Sequence, residues 1–154
     1  MNRSMIVTLH AICSTIALIL ILSFFISTVV VELLGDPTSI QAVKQYIVYG
    51  IGALVPAMAA AGFSGNKLSG KSKASIVQEK KKRMKRIMIL GIAVLIPSAV
   101  ALHLLAQSGS IGTLFYSLQL VELVAGGTNI YLLGQNMRAG LILSGRISKK
   151  ARQA

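Results

Sequence analysis

The sequence predicts an all-α protein, an integral membrane four-helix bundle forming one domain over residues 1–154, with N and C termini both cytoplasmic. Three observations predict it. Hydrophobic residues make up 54% of the chain and charged residues 13%, a balance that belongs to membrane proteins rather than soluble domains. Four apolar runs, about 5–34, 40–63, 87–107 and 111–144, each reach the roughly 20 residues needed to cross a ~30 Å hydrocarbon core. Fifteen of the sixteen Lys and Arg residues fall at Arg3, in the loop 64–86, and from Arg138 into the tail 145–154. Four spans bring those three regions to one side, and the excess of positive charge makes that side the cytoplasm. The expected location is the inner (cytoplasmic) membrane of a bacterium. A net charge of +12 could suggest nucleic acid, but its clustering beside spans marks topology instead, so no nucleic-acid partner is expected.

Helix 1 is retained rather than cleaved, because its apolar run exceeds that of a secretion signal and no small-residue cleavage site follows it. Cys13 is the sole cysteine, so neither an internal disulfide nor a cysteine metal cluster is available. His10, Ser14, Thr28 and Glu32 share one face, each residue turning about 100°. Gly35 to Ser39 reads as a short outer turn. Helix 2 enters through Gln41, Lys44 and Gln45. Its Ala53, Ala57 and Ala61 then allow close helix approach, and Pro56 kinks it.

The inner loop holds Gly65-Asn-Lys-Leu-Ser-Gly-Lys71-Ser72, a formal match to the phosphate-loop pattern. That pattern works between a strand and a helix, whereas here a membrane helix precedes it, so no nucleotide is expected. From Lys73 the chain should turn helical, with Glu79 and Arg83 paired at i,i+4. Lys80, Lys81, Lys82, Arg83, Lys85 and Arg86 are dense enough to hold anionic lipid headgroups. Helix 3 carries a central Pro97 and His103 near its outer end. Gly50–Pro56 and Gly91–Pro97 look alike, but they cross in opposite senses, so the likeness is read as convergent.

Helix 4 carries the most specific pattern. At alternating spacings of four and three it reads Phe115, Gln119, Glu122, Gly126, Asn129, Leu133, Asn136 and Gly140. Small and hydrogen-bonding residues on such a seam belong against protein or a cavity, not lipid. Equal counting from the outer turns groups Glu32, Lys44, His103 and Tyr116 into an outer polar cluster. The same counting makes His10 and Asn136 an inner polar pair. Glu122 falls near mid-membrane, where a charged acid costs roughly 3 kcal/mol and is normally paired, cavity-facing or functional. No cation shares its depth by this count. The carboxyl is therefore expected to be unpaired and protonated, with the Ala93 carbonyl, freed by Pro97, as its acceptor.

Two functions fit. One is proton-linked transport or permeation of a small solute along Gln119, Glu122, Asn129 and Asn136, within a homo-oligomer. The other is an accessory or ligand-binding subunit holding a quinone, a haem or a partner membrane protein. Bis-histidine haem within one chain is excluded, since His10 and His103 belong to opposite leaflets. No cofactor is required, although single-histidine haem or a quinone is compatible with the residues. The acids are too scattered for a metal site, no nucleophile has a base at hand, and no enzyme is expected.

Overall fold

The computed structural model describes residues 2–147. The expected tail therefore lies outside the described residues from 148 onward. Four long helices follow one another: α1 (Arg3–Leu34), α2 (Pro37–Ser69), α3 (Ser75–Gln107) and α4 (Thr113–Leu143). No strand occurs among the described residues.

Three of these helices, α1, α2 and α3, are long and apolar enough to cross a membrane. α4 is as long but has no stretch of that apolarity among the described residues. Gln119, Glu122, Asn129, Gln135 and Asn136 lower its mean hydropathy, and the glycines among them do little to raise it. The helices also overrun the apolar runs. The loop 64–86 is mostly helix, and α3 begins a full three turns before its apolar part.

Physical causes mark each boundary. Asp36 caps α2, its carboxylate accepting from the Ser39 N–H at 2.7 Å, with Pro37 at the first helical position, where a missing N–H costs nothing. The hydrogen bonds from Ser39 hold the Asp36 carboxyl below the usual aspartate range. A depressed pKa gives stability that is present above the unfolded value and lost as pH falls through the folded one. This cap should therefore loosen only in acid. Gly70 (φ 44°) and Gly109 (φ 70°) close α2 and α3 in the left-handed region that favours glycine.

α3 contains a π segment, Gly91–Leu95, immediately before Pro97. Proline lacks an N–H and crowds the carbonyl four residues back, and a wider turn relieves both. The corresponding Gly50–Pro56 stretch stays α-helical through Pro56. The two look-alike segments therefore differ in backbone.

The helices pack antiparallel in chain order, and the core divides into three layers. Ile40, Leu102, Ala106 and Phe115 fill the end near the short turns. Phe24, Ile47 and Ala99 fill the middle, and Ile21, Ile87, Leu132 and Leu133 fill the part toward the 70–74 loop. At that latter end the start of α1 meets the end of α2 and the start of α3, through His10 with Ala61, Ser64 and Lys80. Lys80 also lies over Gly140 of α4. The basic residues of the 64–86 segment therefore lie at the same end of the bundle as the start of α1. On the expected alanine stripe, Ala61 packs at 2% exposure while Ala53 is exposed.

Candidate functional site

The buried face of α4 runs through Phe115, Gln119, Gly126, Asn129, Leu133 and Asn136. Glu122, on the same seam, keeps 12% of its side chain exposed. Lys44 of α2 is completely buried. Its ammonium donates to Glu122 Oε2 at 2.9 Å and to Gln119 Oε1, and it lies 5.9 Å from the Phe115 ring centre. Gln119 Nε2 completes the triangle by donating to Glu122 Oε2 at 3.0 Å. The expectation of an unpaired Glu122 is corrected, and with it the assignment of its proton to the Ala93 carbonyl. Backbone depth alone misplaced Lys44, because a lysine stem carries its charge several ångströms from its own Cα.

Glu32 of α1 lies within electrostatic reach of both Lys44 and Glu122. Both its carboxylate oxygens are buried and accept no hydrogen bond among the described residues. One ammonium thus faces two carboxyl groups, one paired with it and one open. His103 lies on α3 between Leu102 and Ala106, which pack on Phe115. Its Nδ1 is likewise buried and without a partner among the described residues. Gln41 ties α2 to α3 here by donating to the Ala106 carbonyl at 2.9 Å. Tyr116 does not join this cluster. It is 53% exposed and makes an edge-on contact with the Phe115 ring beside it, since one residue of helix rotates it about 100° off the seam.

Asn129 and Asn136 continue the seam inward, each buried with an Oδ1 that has no partner among the described residues. Asn129 donates a long 3.5 Å bond to the Ile87 carbonyl. Seven residues separate Glu122 from Asn129, and Asn129 from Asn136, about 10.5 Å each at 1.5 Å per residue. Buried polar atoms left open in this way are where ordered water typically sits.

The inner pairing of His10 with Asn136 is corrected. His10 turns to α2 and α3, its Nδ1 3.0 Å from the Ala61 carbonyl and 3.2 Å from Ser64 Oγ, its Nε2 3.4 Å from Lys80 Nζ. The network assigns the proton to Nδ1, donating to Ala61, so that Nε2 accepts from the ammonium. Gly65 leaves room for the ring, since a Cβ there would meet His10 Cε1 at 3.0 Å. Ser64, fully buried and donating to the Ala60 carbonyl at 2.6 Å, joins a site in which the sequence reading had not placed it. Its only signal is position, the first residue after the apolar run 40–63.

Replacing His10 by leucine keeps the bulk but leaves the Lys80 ammonium and the Ala61 carbonyl without it. A cost of about 1–3 kcal/mol is expected for such unmade bonds, read as a lower unfolding midpoint of the detergent-solubilised protein.

The basic stretch also divides. Lys80 points inward to His10, Lys81 donates to the Gly70 carbonyl at 3.0 Å, and Arg83 pairs with Glu79 at 2.9 Å as its i,i+4 spacing suggests. Of the six, Lys82, Lys85 and Arg86 are exposed. Within the phosphate-loop match, Gly65 to Ser69 is the last turn of α2. No cluster of three metal-ligating side chains occurs among the described residues. Comparison with protein-family models, curated proteins and solved structures finds no match.

Proposed function

We propose that the chain is an integral membrane protein, N-in and C-in, whose four helices cross the bilayer and which conducts protons, or a small solute linked to them, along the inner face of α4. The observation that carries this reading is the buried Lys44–Glu122–Gln119 set with the open Glu32 carboxylate beside it. Ionisable groups inside a membrane bundle are costly and mark proton or ion pathways. Here the Glu122 carboxylate is paired with Lys44 while the open Glu32 carboxyl lies within electrostatic reach, a second acid to receive a proton. Below them Asn129 and Asn136 offer neutral hydrogen-bonding steps, and His10 with Lys80 stands at the basic end. α4 is the one long helix among the described residues without a span-length apolar stretch, and a homo-oligomer would shield it from lipid.

The test is flux into vesicles carrying a trapped pH dye. Wild-type protein should dissipate an imposed pH gradient, and Glu122→Gln should lose most of that flux while keeping its helical circular dichroism. Flux at the wild-type rate in Glu122→Gln would overturn the proposal.

The same set favours one other reading. Lys44, Gln119 and Glu122 satisfy one another within the chain, as an interhelical tie does in a non-catalytic accessory or ligand-binding subunit. Gentle purification distinguishes the two. A stoichiometric membrane partner, an extracted quinone or a haem absorption band supports the subunit, and a colourless self-contained assembly supports the conductor.

A further inference from the structure

A shallow groove runs along the outer surface between α3 and α4. One part is lined by Leu90, Leu120, Val121, Val124, Ala125 and Thr128. The adjoining part shares Leu90 and Thr128 and ends at Arg86. Three features of the sequence make it. Ala125 and Thr128 are small, so α4 is low where it faces Leu90. α3 passes into its π segment one residue after Leu90, with Gly91 adding no side chain. The walls are nevertheless large and apolar, with Ile89, Leu120, Val121 and Val124 all about half exposed or more.

From Leu120 to Leu132 the groove follows twelve residues of helix, about 18 Å, slightly more than one leaflet of a ~30 Å hydrocarbon core. One end is apolar and lies toward the bundle's middle. The other carries Arg86 at the end where the basic residues gather, one turn before Leu90 on the same face. Arg86 is exposed and lies among cations, whereas the acid nearby, Glu79, is held by Arg83.

We infer that this groove seats one acyl chain of an anionic phospholipid, with the headgroup phosphate on the Arg86 guanidinium. The inference rests on the bundle lying in a membrane, but not on its conducting protons. Charge complementarity selects the occupant. A partner helix would be met by a continuous apolar stripe, whereas this groove couples a chain-length apolar slot to a single planar cation suited to bidentate phosphate contact. Lys85, next to Arg86 and equally exposed, points about 100° away and offers the same charge without the slot.

The experiment reconstitutes the full chain in phosphatidylcholine vesicles with a minority of phosphatidylglycerol, extracts it gently, and counts retained lipids by native mass spectrometry. Wild-type protein should retain one phosphatidylglycerol in preference to phosphatidylcholine. Arg86→Gln should lower that preference about fivefold, as expected for one cation at the membrane surface, and Lys85→Gln should leave it unchanged. Thr128→Trp should fill the slot and abolish retention, with Thr128→Phe as a smaller variant and circular dichroism confirming that both fold.

Equal losses from Arg86→Gln and Lys85→Gln, or retention unaffected by both Thr128 variants, would show only diffuse surface charge and overturn the site. Retention of a protein chain or a quinone in place of the phospholipid overturns it as well. Stable insertion without headgroup preference overturns the lipid site alone. A chain that carbonate strips from the vesicles overturns the membrane placement and the site together.

Discussion

Lys44→Met is expected to lower stability by about 3–5 kcal/mol, the cost of leaving one member of a buried ion pair without its partner. Methionine fills much of the lysine volume, so lost packing contributes little. What remains is Glu122 without its cation, Gln119 Oε1 without its donor, and Glu32 without the Lys44 ammonium within its reach. Thermal unfolding in detergent, followed by circular dichroism, reads the effect directly. Lys44→Met combined with Glu122→Leu should recover most of the loss, because an apolar pair of similar volume is neutral or better where a buried ion pair has been removed. An unchanged midpoint in the single variant, or no recovery in the double, would mean that the pair is not what holds α2 to α4. The two variants also separate stability from conduction. The double variant should be folded and yet fail to dissipate a pH gradient.

The parts of this molecule that the sequence makes legible are those that depend on backbone periodicity. Apolar length locates α1, α2 and the upper part of α3. The four-three spacing from Phe115 to Asn136 marks the buried face of α4, because helical rotation alone decides which side chains share a face. What could not be read depends on side-chain reach and rotation. Counting along the backbone places the Lys44 Cα in the outer layer, whereas its ammonium reaches Glu122. The same counting groups Tyr116 with that layer, whereas its side chain is exposed. Lys80 sits in a run of cations and turns in to His10, a direction that no local pattern reports. Lys44 did carry one signal in the sequence. It is the single basic residue outside the three basic regions, and a cation there has to be paired inside the bundle or be very costly. The π segment was legible only as a proline disturbance, since Pro97 demands relief but does not dictate whether it comes as a kink or as a wider turn.

Gly50→Ala tests the packing of α1 against α2 as directly as Lys44→Met tests the polar tie. A Cβ at position 50 would fall on the Phe24 ring, 2.6 Å from Cε1, well inside van der Waals contact. Phe24 has little freedom to yield. Its ring is 9% exposed, packs with Ile47 and Ala99, and meets the Tyr46 ring edge-on with centroids 5.7 Å apart. Tyr46 is itself held near α1 by Ser23, hydroxyl to hydroxyl at 3.3 Å. An extra methyl should therefore force the helices apart or drive Phe24 off its rotamer, at about 1–3 kcal/mol. Helix propensity works in the opposite direction, since alanine is favoured over glycine by about 1 kcal/mol in a helix interior. A net loss of stability would therefore come from the contact itself. Phe24→Leu removes the ring atoms that collide, so Gly50→Ala should be tolerated far better in that background than in the wild type. Non-additivity in that double-variant cycle identifies the contact. Equal effects of Gly50→Ala in both backgrounds would show that the glycine is not there to admit the phenylalanine.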